Sequence, residues 1–362
     1  MVEKVKTAIS QFQIEGDVTD AIPYGQGHIN DTYLVSTASN GATHKYIYQR
    51  INTSIFHNVD ELMKNIFKVT DYIREKSEAQ KIERATLHFI RTKDDKMYLQ
   101  NADGAFRVYT YIDNVECLQK VENPLHFYLS GVGFGKFQKY LDGFPAEELF
   151  EVIKNFHNTA DRMRQFKEAI VADKAGKLKD VKREVDFFLD RESYCNKILN
   201  LIASGDIPVR VTHNDTKLNN VLIDTVLNQP IAVIDLDTIM PGSIVYDFGD
   251  SIRFGANIGA EDETDLTKVG FSEEFFEAYA KGFLGEVGDK LTEAERDNLA
   301  FGAILMTYEC GMRFLTDHLN GDVYFKVHHN GHNLDRTLTQ IKMVEDMEKA
   351  LPKMNEIVKK YC

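Results

Sequence analysis

Residues 209–237 interrupt a long run of helical periodicity with two short apolar stretches, 220–223 and 231–236. Both are too short for helices and are bounded by polar turn residues, so both read as strands. The segment leading into the first is Val211-Thr-His-Asn-Asp-Thr-Lys-Leu-Asn-Asn-Val-Leu-Ile-Asp224, and the second ends in Ile234-Asp-Leu-Asp237. Two apolar strands thus carry a cluster of histidine, aspartate, asparagine and lysine at their ends.

What surrounds this segment divides the chain. Residues 29–37 and 45–51 are rich in Tyr, Ile, Val and Thr and flank the turn Ser39-Asn40-Gly41, a hairpin signal. Residues 58–75 then place Val59, Leu62, Met63, Ile66, Val69 and Ile73 at helical spacing behind a capping Asn58. Strand character returns at 87–91, 97–100 and 106–112, with Asp94-Asp95 and Asp103-Gly104 as turns. Beyond residue 114 the pattern predicts amphipathic helices at 127–140, 147–166, 181–202, 273–284, 293–319 and 337–359. The expectation is an α+β chain: a strand-rich N-terminal part (1–108), a connector (109–114) and a larger, mainly helical part (115–362). A length of 362 residues exceeds one small core and suits two lobes.

The net charge of −13 argues against nucleic acid or an anionic membrane as partner, since both call for a basic surface. The four cysteines, Cys117, Cys195, Cys310 and Cys362, have neither metal-ligand nor redox spacing. With no signal-peptide core and no window of membrane-span character, the chain is expected to be soluble and cytoplasmic. Its oligomeric state is not legible.

Phosphoryl transfer asks for a carboxylate to orient the attacking hydroxyl, hard oxygen ligands for magnesium and cations on the phosphates. His213, Asp215 and Asn220 form H-x-D-x-x-x-x-N, and Asp235 ends the second strand. Asp215 suits the first task, Asn220 and Asp235 the second, and Lys217 is placed to reach the migrating phosphoryl group. The plainer reading, polar residues capping two strands, has to produce the Asp, the Asn at this offset and the second strand ending in Asp together.

This pattern resembles the aminoglycoside phosphotransferase and choline kinase superfamily, which implies a protein-kinase-like bilobal fold, ATP and Mg2+. Further stretches resemble the N-acetylhexosamine 1-kinases: Tyr24-Gly-Gln-Gly-His-Ile-Asn-Asp-Thr-Tyr33, the 212–220 loop, Ile234–Thr238, Tyr246-Asp-Phe-Gly-Asp250 with Arg253-Phe-Gly-Ala-Asn257, and Arg313-Phe-Leu-Thr-Asp-His-Leu-Asn-Gly-Asp322 with Tyr324. That resemblance spans about residues 20–330 and implies a sugar acceptor phosphorylated at its anomeric hydroxyl. A choline- or aminoglycoside-type kinase and a non-catalytic kinase-like binding module remain as alternatives.

The resemblance distributes the other roles. Gly25 and Gly27 belong to a loop expected over the ATP phosphates, and His28 borders the sugar. The adenine is expected against the connector, at Tyr111 and Asp113. Kinases place a cation on the third strand. Here that position offers Gln49 or Arg50, of which Arg50 is taken, with Glu61 as candidate partner. Asp247-Phe248-Gly249 spells a kinase metal motif. However, Asp235 already ends a strand twenty residues after Asp215, and the resemblance makes Asp247 an acceptor bracing the catalytic loop. His213 is likewise expected to be structural. Arg313, Tyr324 and Asp237 are the expected sugar contacts: Arg313 emerges from an apolar helical run and needs polar partners. The 328–332 histidines lack an acidic or thiol complement and are read as loop residues.

Overall fold

A two-residue turn sets the first hairpin. Asn40 (φ 51°) and Gly41 (φ 81°) are both left-handed, the backbone that lets a tight turn follow the twist of its strands. It joins strands β2 (Asp31–Ser39) and β3 (Ala42–Ile51), preceded by helix α1 (Val2–Ile9) and β1 (Asp17–Pro23). Helix α2 (Val59–Ala79) follows, its N-terminus capped by Asn58, which accepts from the Glu61 N–H. Strands β4 (Phe89–Ile90), β5 (Leu99–Asn101) and β6 (Gly104–Thr110) complete an antiparallel sheet ordered β1-β2-β3-β6-β4, with β5 also on β6. The structure is a computed structural model describing residues 2–25 and 30–362; Gly27 and His28 lie outside the described residues.

Strand alternation gives the sheet two different faces. Tyr46, Tyr48, Phe106 and Val108 point outward and are covered by Val5, Ala8, Ile9 and Phe12 at the N-terminal helix. Ile51 and Ala105 point inward and join α2 in a core that continues into the second lobe. The sequence reading gives no element before residue 29, yet α1 is what seals the outer face.

The second lobe opens with β7 (Val115–Glu116), α3 (Pro124–Tyr140), α4 (Thr159–Ala172), α5 (Lys182–Asp190) and α6 (Lys197–Ser204). Short strands β8 (Arg210–Thr212), β9 (Val221–Asp224), β10 (Gln229–Val233) and β11 (Met240–Gly242) pair as β10-β9-β7 and β11-β8. Helices α7 (Ile244–Gly255), α8 (Glu273–Val287), α9 (Glu293–Asn320) and α10 (His332–Tyr361) finish the chain. Only residues 111–114 separate the end of β6 from β7. Among the described residues no helix is long and apolar enough to cross a membrane.

Two helix expectations need correction. Residues 147–166 are not one helix: a 3-10 turn (Ala146–Glu148) is followed by an irregular segment until Asn158 caps α4. The buried Asn65 of α2 takes both backbone groups of Phe150 (2.9 and 2.8 Å) as well as the Ile239 carbonyl (2.9 Å), diverting bonds a helix would use. Asn155 (φ 56°) adds a left-handed break. Residues 181–202 split into α5, a 3-10 turn and α6 at Arg191, which forks onto Glu348 of α10 (2.7 and 2.9 Å).

The Asp247-Phe248-Gly249 triplet lies inside α7. Phe248 is core, against Phe276, Tyr279 and Phe283. Gly249 lets α7 touch α9: a Cβ there would collide with the Gly302 carbonyl. Gly249→Ala should therefore cost about 1–3 kcal/mol by overpacking. A urea midpoint equal to wild type would disprove this account of the crossing.

Candidate active site

The loop after β8 is folded around a buried carboxylate. Asp247, in the first turn of α7, accepts from the Asn214 N–H through Oδ1 (2.8 Å) and from the His213 N–H (2.8 Å) and Gln138 Nε2 (3.0 Å) through Oδ2. Burial pushes its pKa up, and the His213 ring and these N–H groups pull against that rise. Asp250, one turn on, accepts from the Thr216 N–H (3.2 Å) and from Arg253 Nε (2.8 Å). The loop also carries strain that this bonding holds in place, since Asn214 is left-handed (φ 64°).

His213 then ties the loop to the second strand pair. The Asp215 N–H donates to its Nδ1 (3.3 Å), which leaves Nε2–H to donate to the Ile234 carbonyl (2.9 Å). Phe134 and Phe137 wall the ring. The Ile234 N–H donates in turn to the Asn220 carbonyl (2.9 Å), so both backbone groups of Ile234 are held by the loop. Thr238 Oγ1 donates to the His213 carbonyl (2.6 Å), and Asn214 Nδ2 to the Thr238 carbonyl (2.8 Å).

The strand expected through Asp237 instead ends at Val233, and Asp235 is left-handed (φ 59°, ψ 57°) ahead of a 3-10 turn. A non-glycine residue held there is uncommon and, beside the Asp215 loop, points to function. The turn brings Asp235 next to Asn220 and sends Asp237 toward the N-terminal sheet, so the two carboxylates do not share one side of a strand.

Asp215 is partly exposed at the cleft. Its Oδ1 is 2.8 Å from Lys217 Nζ, and its Oδ2 is 3.3 Å from Asn220 Nδ2, which also donates to the Asp215 carbonyl (2.8 Å). Burial works against the Lys217 charge, but the Asp215 carboxylate holds its pKa above the usual value. Asn220 uses its amide nitrogen for these bonds and keeps Oδ1 as an oxygen donor. Asp235 has no hydrogen-bond partner among the described residues. Its carboxylate is open to the cleft, yet withdrawal from bulk water, with Asp237 and Asp215 alongside, pushes its pKa up to about 6. The Asp235 carboxylate and the free Asn220 amide oxygen are hard donors of the kind Mg2+ takes; among the described residues no group of three acids, histidines or cysteines is placed to hold a metal.

The connector side is aromatic. Tyr24, beside Gly25 (φ 81°), meets Tyr111 edge-on at 5.8 Å. The Lys45 ammonium lies 5.4 Å from the Tyr111 ring and 2.6 Å from Asp113. Arg50 requires correction. It sits on the outer face of β3, exposed, bonded to the Asp103 carbonyl (3.0 Å) and near Asp31 (3.5 Å), and does not reach Glu61. Alternation turns Gln49 to the cleft instead. There Gln49 accepts from Nε of Arg107 (3.0 Å), a buried residue of β6 that the sequence reading passed over. Arg107 also donates to Asp237, whose other oxygen accepts from Asn30 Nδ2 (2.7 Å).

In the helical lobe, Arg313 of α9 lies 5.6 Å from the Phe156 ring, 6.0 Å from Tyr324 and 5.6 Å from Phe325. No carboxylate pairs with it among the described residues. Tyr324 is exposed, and the buried Asp317 fixes its loop by accepting the N–H groups of Val323, Tyr324 and Phe325 (2.9, 2.8 and 2.9 Å). The irregular 149–158 segment delivers Phe156 and His157 here, and His157 Nδ1 is 2.8 Å from Glu309.

The sequence matches the phosphotransferase enzyme family (APH) over residues 20–293. The chain belongs to that family. Its two-lobed α+β fold is similar to solved structures of distant sequence. One is an aminoglycoside phosphotransferase from Alicyclobacillus acidocaldarius (13% identity, 98% of this chain and 96% of that one, TM-score 0.56). Another is an ethanolamine kinase from Plasmodium vivax (16%, 91% and 83%, 0.57). A third is a spectinomycin phosphotransferase in complex with ADP and spectinomycin (13%, 100% and 98%, 0.53).

Within this phosphotransferase the sequence reading missed Asp250, Arg107, Asn65 and Asp317. Asp250 and Asp317 lay in plain view in the Asp247-Phe-Gly-Asp250 and Arg313–Asp322 runs, Arg107 is the single charge inside the apolar β6, and Asn65 is one of several polar residues of α2. The Asp247 account is testable by an isosteric change. Both carboxylate oxygens accept N–H groups, so Asp247→Asn sets an NH2 against a backbone donor. That should cost about 1–3 kcal/mol, read as a lowered unfolding midpoint; an unchanged midpoint would remove the bracing role.

Proposed function

We propose that the protein is an ATP-dependent small-molecule kinase that phosphorylates the anomeric C1 hydroxyl of N-acetylhexosamines, GlcNAc or GalNAc, to the sugar 1-phosphate. The kinase part follows from family membership and from Asp215, Lys217, Asn220 and Asp235 meeting in one cleft. One observation carries the acceptor class. Arg313 makes no ion pair with a carboxylate among the described residues, and it lies near a second guanidinium, Arg162, whose pKa is lowered by burial and then by the Arg313 charge, with the buried Glu309 carboxylate near both. Arg162 Nε is also buried without a partner. Two neighbouring guanidiniums disfavour a cationic acceptor and present N–H donors that hydroxyl and acetamide oxygens can accept. An ammonium acceptor would want acids or an open aromatic cage, and here the Phe156 and Phe325 rings already lie against Arg313. The ethanolamine kinase likeness, at 16% identity, therefore bears on fold and not on substrate.

ATP would lie between the lobes, its adenine beside Tyr111 and Asp113 and its phosphates under the loop that begins at Gly25. Mg2+, when bound by Asp235 and Asn220, supplies charge neutralisation at the phosphates. Asp215 accepts a hydrogen bond from the C1 hydroxyl and takes its proton as the oxygen bonds to the γ-phosphorus, with ADP leaving on its β-phosphate oxygen. Lys217, paired with Asp215, is free to turn its ammonium to the phosphoryl oxygens once the hydroxyl engages that carboxylate. Tyr324 offers an aromatic platform to the sugar ring. Asp237 is a weaker sugar candidate than Arg313, because Arg107 and Asn30 already occupy its oxygens.

The test is a Mg–ATP kinase screen over N-acetylhexosamines, plain hexoses, choline, ethanolamine and aminoglycosides. N-acetylhexosamines are expected to turn over, and turnover with the amines alone would refute the acceptor assignment. Asp215→Asn should lower kcat by at least ~100-fold while ATP still binds, and EDTA should abolish turnover. Arg313→Ala should raise the sugar KM by about 10-fold, the loss of one charge-assisted hydrogen bond, and leave the ATP KM unchanged. An equal rise in both would remove Arg313 from the acceptor site.

A further inference from the structure

A nucleotide cleft of this fold needs a cation at the phosphate tail, and β3 does not provide one. Its cleft-facing residue at that level is Gln49, while Arg50 points away. Directly opposite Gln49 on the β3–β6 ladder is Arg107. Residues so paired project from the same face of a sheet, and neighbouring strands are ~5 Å apart. A guanidinium on β6 thus commands the region a β3 side chain would.

What surrounds Arg107 gives it more than a packing role. It is 3% exposed, and burying a charge so deeply is costly unless the charge is used. Among the described residues its hydrogen bonds go to Gln49 and Asp237, which leaves most of its five N–H groups available. Gln49 is itself fixed by donating to Thr32 Oγ1 (3.0 Å), so it acts as a spacer that aims the guanidinium. Asp237 sits two residues beyond Asp235 in the turn held against the catalytic loop. Its second oxygen takes Asn30, whose Oδ1 accepts the Asn52 N–H (3.0 Å) at the end of β3. Arg107 therefore stands where the sheet, the start of β2 and the metal-binding turn converge. A planar guanidinium can hold a carboxylate along one edge and present the other to an oxyanion, which an ammonium cannot do with the same geometry.

We propose that Arg107 is the phosphate-gripping cation of this enzyme, supplied from β6 rather than β3, with Asp237 as its anchor and Gln49 as its spacer. The arrangement replaces a lysine–glutamate pair between sheet and helix by an arginine–aspartate pair between sheet and metal turn. Contact of Arg107 with the α- or β-phosphate then bears directly on the turn that carries Asp235, so nucleotide and metal are bound together. The inference rests on the cleft taking ATP, as argued above.

The experiment measures the affinities of adenosine, ADP and ATP for the full-length protein by calorimetry, with and without Mg2+. The variants are Arg107→Lys, Arg107→Met and the double change Gln49→Lys/Arg107→Met. Arg107→Met should weaken ADP and ATP by about 10-fold or more, the loss of a charge-assisted contact, and leave adenosine within about twofold. Arg107→Lys keeps the charge and the Asp237 pair; it should fold even if Arg107→Met does not, and should weaken ADP more than adenosine. Gln49→Lys/Arg107→Met, which returns the cation to β3, should recover most of the lost ADP affinity. Equal loss of adenosine and ADP, or wild-type ADP affinity in Arg107→Lys together with no recovery in the double variant, would overturn the proposal. Failure of the wild type to bind any of the three ligands would instead overturn the kinase reading itself.

Discussion

The buried carboxylate of Asp247 is the interaction on which the rest of the cleft depends. It sits in the first turn of α7 and accepts two consecutive backbone N–H groups of the catalytic loop plus the Gln138 amide. A loop with a left-handed Asn214 does not hold that shape unaided. With the loop fixed, His213 can place one nitrogen under the Asp215 N–H and the other on the Ile234 carbonyl. That second bond positions the turn bearing Asp235. Asp215, Asn220 and Asp235 thus inherit their placement from a carboxylate buried behind the loop in α7.

The cleft is electrostatically divided. Asp215, Asp235 and Asp237 concentrate negative charge on the floor, partly answered by Lys217 and Arg107. Burial first, and then the charges of Asp237 and Asp215, push the Asp235 pKa up to about 6, and a divalent cation would offset both. Around Arg313 the balance is different: Arg162 and Arg313 are close enough to repel, with the buried Glu309 carboxylate near both. The overall charge of −13 therefore says little about the substrate; the local signs decide.

Much of this was legible in the chain. The hairpin at Asn40-Gly41, the Asn58 cap of α2 and the helical stripes of α3, α8, α9 and α10 follow from local rules, because each acts through neighbours within a few residues. The H-x-D-x-x-x-x-N spacing was legible for the same reason: the loop that joins β8 to β9 has to carry those residues together. The single helix read over 147–166 failed because Asn65, more than eighty residues away, captures the backbone of Phe150. Arg50 was preferred to Gln49 because charge is visible in a sequence, whereas the facing of a strand is set by what covers it. Here α1 claims the outer face, and that fixes the alternation.

The sequence by itself therefore determined the α+β character, through local periodicity, and the family, through the resemblance its motifs carry. Tertiary structure alone decided which cation faces the cleft, that Asp237 turns away from Asp235 toward the sheet, which N–H groups Asp247 holds from within its helix, and that Arg313 stands among aromatic rings near Arg162. Each of those facts is a meeting of residues far apart in the chain. Packing and burial choose such partners, and no local pattern encodes the choice.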